Sequence, residues 1–77
     1  MIAEVTFPRT SFNQKYSYIT DISNLKENDL VLVQVRDGYS VAYFKNYTEK
    51  NSDVATAWIV KNLSEDIEEF ENKLMLM

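Results

Sequence analysis

Leu30-Val31-Leu32-Val33-Gln34-Val35-Arg36-Asp37-Gly38-Tyr39-Ser40-Val41-Ala42-Tyr43-Phe44-Lys45-Asn46-Tyr47 is the stretch that decides the fold. Leu30–Arg36 is rich in β-branched and apolar residues and reads as a strand. Asp37-Gly38 is a favoured pair for a two-residue type I′ turn. Tyr39–Tyr47 then reads as the returning strand. Such a turn pairs Arg36 with Tyr39, Val35 with Ser40, Val33 with Ala42 and Val31 with Phe44. One face of this hairpin carries Val31, Val33, Val35, Ala42 and Phe44 and is expected to be core. The other carries Leu32, Gln34, Arg36, Tyr39, Val41 and Tyr43, with Lys45 and Tyr47 beyond.

Further strands are expected on either side. Ile2–Phe7 is a short β-rich run ended by Pro8, which suits an edge strand. Tyr16–Thr20 reads as a second strand and Val54–Lys61 as a fifth, with Trp58 as a core plug. Arg9–Gln14, Asp21–Asp29 and Thr48–Asp53 are polar and read as turns or loops. Ser64 is expected to cap a helix over residues 64–77, with Glu65 and Asp66 at the positive end of its dipole. Ile67, Phe70, Leu74 and Met77 form one apolar stripe, expected to dock on the sheet. The sum is a mainly β, α+β chain: an SH3-like small antiparallel barrel of about five strands with a C-terminal helix. An open five-stranded α+β sheet is the alternative. The whole is one domain, with residues 1–63 as the body and 64–77 as the helix.

Composition narrows the chemistry. The chain has 77 residues, no Cys and no His, which removes disulfides, thiol nucleophiles, Cys/His zinc sites and imidazole catalysis. Ten aromatic residues must supply much of the packing in so small a domain. The net charge is −4. Residues 1–63 are neutral, and the tail carries Glu65, Asp66, Glu68, Glu69 and Glu71 against Lys73. A neutral body lacks the clustered cations of strong phosphate binding. The start of the chain has neither the basic nor the apolar stretch of a signal peptide, so a cytoplasmic protein is expected.

Tyr16-Ser17-Tyr18, Glu27-Asn28-Asp29-Leu30-Val31-Leu32-Val33 and Gly38-Tyr39-Ser40-Val41-Ala42 together resemble small SH3-like β-barrel proteins of bacteriophages and Gram-positive bacteria. They also resemble the N-terminal barrel of the primosomal replication helicase. The resemblance spans about residues 2–47, and its pattern usually has Gly where this chain has Asn28. The helicase likeness implies binding of DNA ends. The phage likeness implies a small protein that binds and modulates a host protein, such as an anti-CRISPR protein or a replication inhibitor.

The expected function is a non-catalytic protein-interaction module with no cofactor and no metal. Tyr39, Tyr43 and Tyr47, beside Arg36 and Lys45, are the candidate anchors, because aromatic residues and cations serve protein interfaces and base stacking alike. The bland reading buries these tyrosines under a neighbouring element. Glu65, Glu68, Glu69 and Glu71 are candidates for steering toward a host protein with a basic surface; the bland reading is a solvated helix face. Asp21, Glu27 and Asp29 lack the spacing of a calcium loop and read as solvated charge. Two alternatives are a weak single-stranded nucleic-acid binder on the tyrosine face and a self-assembling virion component. The latter would pair protomers, as in a homodimer, through the first strand's edge or through Leu74-Met75-Leu76-Met77.

Overall fold

The computed structural model describes residues 1–8, 14–50 and 53–75. In chain order the elements are β1 (Ile2–Thr6), β2 (Tyr16–Ile19), β3 (Leu30–Val35), β4 (Gly38–Thr48), β5 (Ile59–Asn62) and α1 (Leu63–Met75). All strand pairs are antiparallel, in the order β2-β1-β4-β3-β5. The sheet curls until its two edges meet. Ile19 of β2 bridges Trp58 beside β5, and the Ile19 N–H donates to the Ala57 carbonyl at 2.8 Å. The result is the small SH3-like half-barrel with a C-terminal helix that the strand pattern implies. β1 therefore lies between β2 and β4, and the expectation that it forms an edge is corrected. Pro8 falls two residues past the strand, where its missing N–H breaks no ladder bond.

The concave face holds the core: Ala3, Val5, Tyr18, Leu25, Val31, Val33, Ala42, Phe44 and Ile59. Thr20 is fully buried as well, its hydroxyl accepting the Ile22 N–H at 3.0 Å.

The hairpin turns one residue earlier than expected. Val33 faces Ser40 and Val31 faces Ala42, with Arg36-Asp37 between Val35 and Gly38. A type I′ turn at Asp37-Gly38 would need positive φ at Asp37. Among the described residues only Asn28 (72°) and Gly38 (143°) have it. The observed turn leaves Arg36 and Asp37 at ordinary φ and gives the strained position to the one glycine. Each residue's partner moves by two, so the shifted turn by itself sends no side chain to the other face. Val35, expected in the core, is at the tip and 36% exposed. Asn28 tolerates its left-handed φ because a short polar side chain pays little there.

β4 has 11 residues and pairs with both β1 and β3. Against β1 it carries a bulge: Glu4 faces Asn46, but Val5 faces Phe44, leaving Lys45 extra. Alternation resets there, so Phe44 and Tyr47 both point inward, their rings 4.8 Å apart. The Tyr47 hydroxyl accepts the Leu25 N–H at 3.0 Å and donates to the Ile22 carbonyl, pinning the β2–β3 loop. Tyr47 is thus a structural residue, and its expected place on the Tyr39–Tyr43 face is corrected.

Three further expectations change at the C-terminal end. β5 starts later than the expected Val54–Lys61: Val54 is 68% exposed, and the Ala57 carbonyl accepts the N–H of Ile19 in β2 instead of joining the β3 ladder. Trp58 is 43% exposed rather than core. The helix cap is Asn62, whose Oδ1 accepts the Ser64 N–H at 3.0 Å. Ser64 sits inside the first turn instead, its hydroxyl accepting the Leu30 N–H at 2.8 Å. Asn62 also donates to Asp29 at 3.2 Å, and Asp29 accepts the Lys26 N–H at 2.9 Å. This junction sends α1 away from the barrel. No helix residue is buried, and the molecule measures 47 × 25 × 23 Å. The expected docking of the stripe on the sheet does not occur; Met77 lies outside the described residues.

Two outcomes check this packing. Tyr47→Phe leaves the Leu25 N–H without its acceptor and should cost about 1–3 kcal/mol in urea unfolding. Burial, with Tyr16 beside it, holds the Tyr18 hydroxyl above its ordinary pKa of 10.0. The unfolded chain then releases this proton first, so stability present below about pH 10 is lost as pH rises through the folded value. Tyr18→Phe should flatten that alkaline loss in a stability–pH profile.

Candidate interaction surface

The register of β4, β3 and β5 places the outward side chains in rows. Tyr39 faces Gln34, and Gln34 is bonded to Trp58. The Gln34 N–H donates to the Trp58 carbonyl at 3.0 Å, and the Gln34 amide oxygen accepts the Trp58 N–H at 2.9 Å. Ile59 points inward, so Trp58, its chain neighbour, points out. The next row is Val41, Leu32 and Lys61, and the last is Thr6, Tyr43 and Leu30. Tyr39 is 64% exposed, Trp58 43%, Tyr43 40% and Val41 39%. Leu30 and Leu32 between them are half-buried. Four large side chains thus stay in water on one sheet face, which suits contact with a flat partner surface.

The sequence-predicted residues separate into groups. Tyr39 and Tyr43 share this face. Arg36 is exposed at the hairpin turn beside Tyr39's end of the strand. Lys45 is drawn away, its Nζ donating to Asn28 Oδ1 at 2.6 Å at the opposite end of β4. Tyr47 points into the core. Glu65, Glu68, Glu69 and Glu71 are exposed on α1. Trp58, a core plug by the sequence reading, belongs to this surface instead. Ala57-Trp58-Ile59 has three apolar residues in an extended run, which cannot all face inward, and that spacing was the available signal.

The electrostatics of the face are mild. Lys61 in its middle row bonds Asp66 of α1 at 2.8 Å. That hydrogen bond and charge, with a smaller contribution from Glu69, hold the Lys61 ammonium above its ordinary pKa of 10.5 against slight desolvation. Both partners are well exposed, so the pair orients the helix start more than it stabilises the fold. Elsewhere, Phe7 meets the Tyr16 ring edge-on at 5.2 Å. Asp29 is occupied by the Lys26 N–H and Asn62. Among the described residues no group of three or more acidic side chains is placed to hold a metal ion. No helix of the described residues is long and apolar enough to cross a membrane.

The arrangement offers π-faces, two phenolic hydroxyls, an indole N–H and one cation at the rim. These are the groups that anchor protein interfaces. No protein-family model, no curated protein and no solved structure matches the chain.

Proposed function

We propose that the protein is a non-catalytic interaction module that regulates or inhibits a host protein in the cytoplasm. The observation that carries this reading is the outward face of Tyr39, Val41, Tyr43 and Trp58. Burying such side chains against a partner is the strongest source of interface energy, and Tyr and Trp dominate hot spots. The acidic outer side of α1 supplies long-range attraction to a basic partner surface, raising the association rate. The nucleic-acid alternative has less support, since Tyr47 and Lys45 are withdrawn from the face and residues 1–63 are neutral.

Capture of partners from bacterial lysate, with and without nuclease, tests this. A partner should survive nuclease and be lost with Tyr39→Ser/Trp58→Ser. Two lost anchors at about 2 kcal/mol each imply a weakening of several hundred-fold or more. The variant's circular dichroism should match wild type, while its unfolding midpoint falls somewhat because more than half of the Trp58 surface is covered. Capture that vanishes with nuclease, or that persists in the folded variant, contradicts the proposal. Against the captured partner, Glu68→Lys/Glu69→Lys/Glu71→Lys should slow association about tenfold at low salt. An unchanged rate at low salt removes the steering role.

A further inference from the structure

α1 leaves an apolar seam uncovered, and its spacing is specific. Leu63, Ile67, Phe70 and Leu74 follow one another at intervals of four, three and four residues, the seam of a two-stranded coiled coil. Ile67 is 47% exposed, Phe70 61% and Leu74 55%. With Asp66 and Glu71 at its edges, the seam forms a shallow groove along the helix. Glu65, Glu68, Glu69 and Asn72 lie on the far side by the same periodicity.

The residues flanking the seam identify its occupant. On one flank are Asp66 and Lys73; on the other are Ser64 and Glu71. If two helices pair antiparallel, each flank meets its own copy. Centred between Ile67 and Phe70, such a pair stacks Leu63 on Leu74 of the second copy and Ile67 on its Phe70. Asp66 then faces Lys73 of the second copy twice, once on each side of the two-fold axis. Glu71 faces only Ser64. Sliding either way by a heptad opposes Lys73 to Lys73 or Asp66 to Asp66. Parallel pairing opposes Asp66 to Glu71. The one lysine of the helix therefore sits where a single orientation and register use it. Asp66 also pairs with Lys61 of its own chain at 2.8 Å and keeps its second carboxylate oxygen for the contact.

We infer that α1 is a self-association element: two copies of this chain pair through antiparallel α1 helices. Four seam residues per copy span about 16 Å of helix. A patch that short belongs to the small-interface class, so the dimer is weak. The surrounding carboxylates repel, and salt screens that repulsion. Salt also screens the two Asp66–Lys73 attractions, but the net charge of −4 on each copy outweighs them, so association tightens with salt, opposite to binding of a basic partner. This inference is independent of the proposed host interaction, since it rests on α1 and not on the sheet face.

Sedimentation equilibrium on the full chain at up to about 1 mM, in about 50 mM and about 500 mM NaCl, tests it. The expected result is a monomer–dimer equilibrium that tightens with salt and is lost with Phe70→Gln. Asp66→Lys alone and Lys73→Glu alone should each weaken association roughly 5–30-fold, because each turns two attractive pairs repulsive. Mixing these two variants should restore it, since the unlike copies again oppose opposite charges at every pair. Helical content by circular dichroism confirms that each variant is folded. Three results would overturn the inference: a monomer at both salt concentrations, a dimer that ignores Phe70→Gln, or a mixture no tighter than its components.

Discussion

The bulge at Lys45 is the constraint on which the rest of the structure depends. β4 must serve two partners, β1 and β3, along its length. A regular strand would send Tyr47 outward with Tyr39 and Tyr43. One extra residue against β1 resets the alternation, so Phe44 and Tyr47 both enter the core. Tyr47 then reaches across to hold Ile22 and Leu25, which carries the chain from β2 to β3. The local coiling that a bulge brings also helps the sheet curl until β2 meets the residues before β5. The core is completed within the sheet and its loops, without the helix.

That completeness explains the exposed surfaces. The junction of Asp29, Asn62 and Ser64 uses its polar groups on one another and on the first helical turn. It fixes where α1 starts and points it away from the barrel. With no helix laid across it, the outer face of β4, β3 and β5 keeps Tyr39, Val41, Tyr43 and Trp58 in water, and the helix keeps its seam. A chain of this size has little apolar surface to spare, so leaving two such patches uncovered lowers its own stability. Contact with other molecules is the use to which both surfaces are suited.

Much of this was legible in the sequence, for definite reasons. Leu30–Val35 and Tyr39–Tyr47 announce a hairpin by composition and by the polar turn between them. As far as Phe44, the division of their side chains into two faces survives even though the turn moved, because the slip was by two residues. The helix was legible from its stripe, and the acidic tail from its charge. What could not be read was set by tertiary context. The bulge that turns Tyr47 inward has no signature at Lys45-Asn46. Asn62 displaces Ser64 as the cap because Ser64 is needed by the Leu30 N–H. Trp58, expected as a core plug, faces outward because Ile59 beside it takes the inward position. A stripe at helical spacing says that a helix has an apolar side, and is silent on what covers it.

The sheet and its loops form a complete core, and α1 leaves its apolar face uncovered. Urea unfolding of the full chain carrying Ile67→Gln/Phe70→Gln/Leu74→Gln, at low micromolar concentration, tests this most directly. Gln preserves helix propensity, so the substitutions address packing alone. The account predicts a stability within about 1 kcal/mol of wild type, as for surface positions. A loss of about 5 kcal/mol or more, the scale of emptying a buried seam, would show that the helix packs on the barrel and would contradict it.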